Sequence, residues 1–203
     1  MNLDLPHMIY TGAPLDDPEI LERVPAELAA ALRTRNGCIG YLGALHLRGA
    51  CRTPAWHSLR HAWEGPDALH ALFDEARPAD VPFAEDAFGD QFLLRDGRVV
   101  RLSGELGEVT TVVESLEAFL ASLRADPEQV LDYQPLLTFR RGGAELQPGQ
   151  LLAAYPPFVL QVEHATRELR AVDALERRRS LAELARRLHG LPDGAEVRFR
   201  ATD

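Results

Sequence analysis

Residues Pro82–Leu102 read PFAEDAFGDQFLLRDGRVVRL, and the fold turns on how this stretch divides. Phe92–Arg95 and Arg98–Leu102 are short apolar runs, and between them stands Asp96-Gly97, a pair that accepts positive φ at both central positions of a two-residue turn. A β-hairpin is predicted. The first half sets Glu85, Asp86 and Asp90 around Gly89, either as a ligand loop or as a turn that starts a strand. An EF-hand loop needs oxygen ligands at alternate positions, then a glycine, then a distant glutamate, so that six or more oxygens converge on calcium. These carboxylates lack that spacing. On the turn reading, Asp86 and Asp90 bond local amides around Gly89, while Phe83, Phe88 and Phe92 anchor the turn to the core.

Downstream, Glu108–Glu114 (EVTTVVE) is rich in β-branched residues and forms a third strand. Ser115 then caps a helix whose apolar stripe is Leu116, Phe119, Leu120 and Leu123, stopped at Asp126-Pro127. Upstream, Asp16 and Asp17 before Pro18 start a short helix over 18–23. A second helix carries Leu28, Ala31 and Leu32 and ends at Asn36-Gly37. CIGYLGALHL (38–47) suits a strand or two near a bend, and Trp56, Leu59 and Trp63 fall on one face of a short helix ended by Gly65-Pro66. Asp67 caps a further turn carrying Leu69 and Leu72. Helices, strands, then a helix imply an α+β domain with one antiparallel sheet.

Past Tyr133 the pattern restarts. Leu136–Arg140, Phe158–Glu163 and Glu168–Val172 read as strands, Asp173-x-x-Glu176 is a capping box for a helix carrying Leu181, Leu184, Ala185 and Leu188, and Ala195–Arg200 gives a closing strand. The expected organisation is a domain over 1–133 followed by a small α/β appendage over 134–203.

A chain of 203 residues, 46% hydrophobic, buries a real core. No leader pattern opens it and no window reaches the length of a membrane span, so a cytoplasmic protein without a membrane partner is expected. Lysine is absent, all 22 positive charges being arginine, in a composition typical of GC-rich bacterial genes. That excludes phosphate-loop, kinase and Schiff-base enzymes, each of which requires a lysine. Cys38 and Cys51 are too few for a disulfide framework and are read as core thiols. Residues 1–135 hold 22 acids and 11 arginines, a net of −11, whereas residues 136–203 hold 9 acids and 11 arginines, a net of +2. The acidic part repels nucleic acid and attracts basic partners.

His57 and His61, at i and i+4, are the candidate metal pair for a hydrolase, although serine stands where a zinc-protease motif has glutamate. No serine lies in a nucleophile elbow. Arginines 177, 178, 179, 186 and 187 form a basic helix stripe, partly neutralised by Glu176 and Glu183, and are read as a solvated face rather than a nucleic-acid site.

Two stretches resemble the SUKH superfamily, the Smi/Knr group of bacterial immunity proteins and fungal cell-wall regulators. One is Val24-Pro25, Leu28, Leu32 and Asn36-Gly37, with leucines where the family often has aromatics and Cys38 replacing a second glycine. The other is Phe83-Ala84, Asp86 and Phe88-Gly89-Asp90 followed by the hairpin, with the Ser115–Leu120 helix resembling the family's closing one. The resemblance covers roughly residues 15–130. It implies helices packed around a curved antiparallel sheet, no cofactor, no enzymatic activity, and binding of a cognate protein toxin. Net charge makes a basic nuclease-type toxin the expected partner. The candidate binding surface comprises Asp16, Asp17, Glu19, Glu64, Asp67, Asp74, Glu75, Asp80, Glu85 and Asp86, chosen for charge and expected exposure. The alternative is an intracellular scaffold or regulatory module.

Overall fold

The computed structural model describes residues 3–131, 133–161, 167–192 and 194–196. Seven strands form one antiparallel sheet in simple chain order: β1 (Tyr10–Thr11), β2 (Cys38–Gly40), β3 (Leu45–Leu47), β4 (Val81–Asp86), β5 (Gln91–Arg95), β6 (Arg98–Leu102) and β7 (Val109–Val113). A 3₁₀ turn over Pro18–Glu22 and helix α1 (Ala26–Thr34) lie between β1 and β2; α2 (Leu59–Trp63) and α3 (Leu69–Leu72) lie between β3 and β4. After β7 come α4 (Leu116–Ala125), α5 (Pro127–Leu131) and α6 (Gln134–Arg141), then a two-stranded ribbon of β8 (Gln150–Tyr155) and β9 (Glu168–Asp173), and α7 (Ala174–Leu188). The fold is α+β. Among the described residues no helix is long and apolar enough to cross a membrane.

Alternation along the hairpin builds the core on both faces of the sheet. Phe92, Leu94 and Val99 join one apolar cluster with Leu28 and Leu32 of α1, Phe119 and Leu123 of α4, Leu131 and Leu136. Leu93, Val100 and Leu102 join a second with Leu69, Phe73 and, from α7, Leu181, Ala182 and Ala185. Covered on both sides, β5 reads as a nearly continuous apolar run.

Local signals placed many elements. Asp96 and Gly97 have φ of 51° and 83°, as a type I′ turn requires. The Ser115 hydroxyl accepts from Ala118 N, and the Asp173 carboxylate accepts from Leu175 N and Glu176 N, so both caps form.

Several expectations need correction. The turn before the hairpin is preceded by a full strand, β4, paired on both sides and buried at all six positions. Its proline and acids concealed it, because a buried strand tolerates charge only when distant partners neutralise it. Leu136–Arg140 is helical rather than extended: Pro135 sits in the first turn of α6 and Leu136 enters the main core. The strand expected at Phe158 lies earlier, at β8; Phe158–Leu160 form a turn, and residues 162 and 163 lie outside the described set. Most of the closing strand expected at Ala195–Arg200, residues 197–200, also lies outside it. Trp56 precedes α2 instead of sharing its buried face with Trp63.

Packing does not break at residues 133/134. Leu136, Leu146 and Leu152 belong to the main core, Leu152 N donates to Ala87 O at 2.7 Å, and α7 covers the second face of the sheet. The C-terminal third is built into the domain rather than appended to it. Gly89 records the fit: with φ +97°, an added Cβ would stand 2.5 Å from Leu181 Cδ1.

Candidate functional site

The largest concentration of buried ionisable groups lies where β3, β4 and β5 meet α7. The antiparallel register sets His46 opposite Glu85 and Glu85 opposite Gln91, so three polar side chains enter the interior together. Arg48 follows β3, and Arg178 reaches in from the first turns of α7; both are 1% exposed and Glu85 is 0% exposed. Glu85 Oε2 accepts from Arg48 Nη2 at 2.9 Å and Arg178 Nε at 3.0 Å, while Oε1 accepts from Arg178 Nη2 at 3.1 Å. Gln91 closes the group, its Oε1 taking Arg48 Nη2 at 2.6 Å and its Nε2 donating to Glu85 Oε2 at 3.1 Å. Burial alone would raise the Glu85 pKa, but Arg178, Arg48 and the His46 contact hold it well below the usual carboxylate range. Burial in turn lowers the Arg48 pKa to about 10 against the attraction of Glu85.

A chain of imidazoles leaves this centre. His46 Nδ1 lies 2.9 Å from Glu85 Oε1, His46 Nε2 lies 2.8 Å from His57 Nδ1, and His57 Nε2 lies 3.0 Å from Asn36 O. Both ends, a carboxylate and a carbonyl, only accept. Three links therefore need three ring protons, and two neutral imidazoles carry two. Burial, reinforced by the neighbouring ring of His46, lowers the His57 pKa to about 3, and burial lowers that of His46 too. Both rings are held neutral, which leaves one link of the chain without a proton.

His57 is enclosed by backbone. An added Cβ on Gly37 would lie 2.6 Å from His57 Cε1, one on Gly49 2.6 Å from its Nε2, and Gly12 is equally crowded by Asn36 O and the imidazole. Asn36 fixes the same corner: its Oδ1 accepts from Ala50 N at 2.6 Å and its Nδ2 donates to Ala13 O at 3.0 Å. α1 ends earlier than expected, at Thr34 with an extended Arg35 as its cap, and the Asn36-Gly37 pair of the sequence motif follows that end and forms one wall of the histidine cage, with Gly37 at φ +75°. The other motif residues are structural as well. Pro25 is the N-cap of α1, and Leu28, Leu32, Phe83 and Phe88 are buried in the main core.

On the adjoining turn, Asp86 Oδ1 accepts from the amides of Phe88, Gly89 and Asp90 at 2.9–3.0 Å, and Oδ2 takes Arg101 Nη2 at 3.1 Å. Asp90 binds Arg101 Nε and Gly104 N, both at 2.7 Å. Burial and the Asp90 carboxylate raise the Asp86 pKa, with Arg101 and the amides opposing. The acidic loop is a structural turn.

The ten candidate surface carboxylates separate. Asp17, Asp80, Glu85 and Asp86 are buried, which overturns their expected exposure: Asp17 is held by Arg60 at 2.6 and 2.9 Å, and Asp80 by Arg95 at 2.9 and 2.7 Å. Glu64 is partly exposed between Arg23 and Arg60, and Asp67 forms a two-point pair with Arg179, both contacts at 2.7 Å. Asp16, Glu19, Asp74 and Glu75 are exposed. The proposed metal pair is also broken up. Both ring nitrogens of His57 are occupied within the interior, whereas His61 turns toward Asp67 at 3.7 Å; no group of three or more candidate metal ligands occurs among the described residues. Sequence reasoning missed Arg48, Gln91 and His46 altogether. For Arg178 the signal was inverted, since a run of arginines on a helix reads as solvated.

Beside the centre, a cavity of about 10 Å³ is lined by His46, Trp56, Glu85, Gly149 and Gln150, room for about one water and for no organic substrate. The arrangement can hold charge and tie α7 to the sheet; it offers no space for a reacting molecule.

No family model and no curated protein matches the sequence. Among solved structures, the chain is similar to the crystal structure of Atu4351 from Agrobacterium tumefaciens, with 19% identity and a TM-score of 0.55 over 87% of this chain and 85% of that one. The likeness concerns the fold.

Proposed function

We propose that this chain is a binding protein without chemistry of its own, an immunity protein of the SUKH type that neutralises a cognate toxin in the cytoplasm. The observation that carries the reading is the division of its charges. Buried carboxylates are matched by arginines, as at Glu85, Asp80 and Asp17, while Asp16, Asp74 and Glu75 remain at the surface without an arginine ion pair among the described residues, and Glu19 shares Arg52 and Arg60 there, on a chain with net charge −9. The surplus negative field is therefore external, where it steers a basic toxin domain and competes for its nucleic-acid groove. The buried histidines, which would be the natural source of acid–base chemistry, are spent on one another and on Glu85.

A scaffold role has one observation in its favour: Leu106 and Leu191 are 40% and 47% exposed and line an open cleft with Val159, Leu160 and Leu188. Affinity capture from source-cell lysate at low and moderate salt, followed by co-expression with the captured protein, separates the two. A single stoichiometric partner with a basic toxic domain, released by salt and made harmless by co-expression, supports immunity. Recovery of several resident proteins, or a toxin that still kills, overturns it.

A further inference from the structure

The sheet ends at β7, and no strand lies beyond its outer edge among the described residues. Its sequence, VTTVV, is β-branched throughout, the residue class that pairs best in a pleated sheet. Thr110 and Thr111 are exposed. Unpaired edges are templates for association, and native chains blunt them with charge or bulges. β7 carries both devices: the register shifts between Val99↔Val113 and Val100↔Thr111, leaving Val112 as the extra residue, and Glu108 and Glu114 bracket the strand.

These devices are selective. Two copies joined antiparallel about Thr111 would bring Glu108 of each opposite Glu114 of the other, a like-charge contact that disfavours self-pairing. An incoming strand with basic side chains meets the opposite situation. Glu108, Glu114 and Glu117 are all exposed here, and Arg98, 2.8 Å from Glu114, is the one arginine paired with any of them among the described residues. The Glu114–Arg98 pair is itself largely exposed, with side chains 73% and 59% accessible, and yields easily to exchange. We infer that the outer edge of β7 accepts an extended, basic segment of a partner protein as an additional strand, with main-chain bonds along Val109–Thr111 supplying affinity and the bracketing glutamates supplying charge selection. The inference does not require that partner to be a toxin.

The test is amide hydrogen exchange on the intact chain, alone and with a short synthetic peptide alternating arginine with valine. The outward amides of β7 should exchange freely in the chain alone and slow by about tenfold or more with the peptide, less so as salt rises. A peptide with glutamate in place of arginine should leave them unchanged. Glu108→Arg combined with Glu114→Arg should abolish the effect. Proline placed at Thr110 and at Thr111 in turn gives a fold-independent check: adjacent amides face opposite ways, so one of the two variants removes an outward donor while keeping the ladder to β6. Protection already present in the isolated monomer, protection that tracks dimerisation, equal response to both peptides, or no response to the arginine peptide would each overturn the inference. A captured toxin that binds the double charge-reversal variant unchanged would remove the edge and leave the immunity reading standing.

Discussion

Glu85 and Glu75 carry the same group into opposite surroundings. Glu85 is 0% exposed between two arginines and a histidine, and Glu75 stands in water beside Asp74. The first region is an ionic centre whose worth lies in specificity: a buried pair recovers its desolvation cost only when the geometry and remaining hydrogen bonds are good, and it fixes which elements meet. The second has paid no desolvation cost and retains its field for an approaching partner. Charge inside this protein positions α7; charge outside is what another molecule can sense.

The contrast is broken most severely by removing the internal charge. Glu85→Gln strands Arg48 and Arg178 in the interior without their anion and should cost about 3–5 kcal/mol, read as a lower urea midpoint at unchanged slope. Loss below about 1 kcal/mol would mean that the centre rearranges or admits water readily.

The imidazole chain gives the next effect. With a native pKa near 3 against an ordinary 6.5, His57 stays neutral in the folded state while the unfolded chain takes up a proton below pH 6.5. Stability contributed by this group is complete above pH 6.5 and falls as pH drops toward about 3, by roughly 1.4 kcal/mol per pH unit. Urea unfolding from pH 7 to 4 measures the slope, and His57→Gln should flatten it. A flat profile in the parent chain would show that the native relay already holds its third ring proton.

Gly89→Ala should cost about 1–3 kcal/mol, from a φ of +97° that alanine rarely adopts and from contact with Leu181. Pairing it with Leu181→Ala should relieve the steric part alone, so the double mutant should be less unstable than the sum of the singles. Additivity would mean that α7 does not bear on this turn.

How much was legible follows from the range of each interaction. The Asp96-Gly97 turn and the Ser115 and Asp173 caps are set by residues within a few positions of one another, and the structure keeps all three, whereas Asn36-Gly37 follows a helix already ended at Thr34 and serves distant partners instead. The segment at Leu136 is short and apolar, a pattern that periodicity cannot assign, and Pro135 together with the core decided for helix. β4 escaped because Glu85 and Asp86 look like turn residues until Arg178, 93 positions away, and Arg101 are brought to them. Exposure of a carboxylate depends on whether a guanidinium arrives from elsewhere in the chain, and a single sequence does not register that. The same ignorance merged ten acids into one surface when four are interior.

The smallest expected effect on folding therefore carries the most information about the surface. Replacing Asp74 and Glu75 by arginine touches no pair among the described residues and should move stability by no more than about 0.5 kcal/mol. If these residues belong to the binding face, the same change should slow association with a basic partner and weaken its salt dependence, since rim charges act chiefly on the on-rate. Stopped-flow association with the captured partner at two salt concentrations reads both. An unchanged rate would exclude this corner of the surface and leave Asp16 and Glu19, or the glutamates around β7, to carry the attraction. A large loss of stability would mean instead that these two carboxylates belong with Glu85 as structural charge.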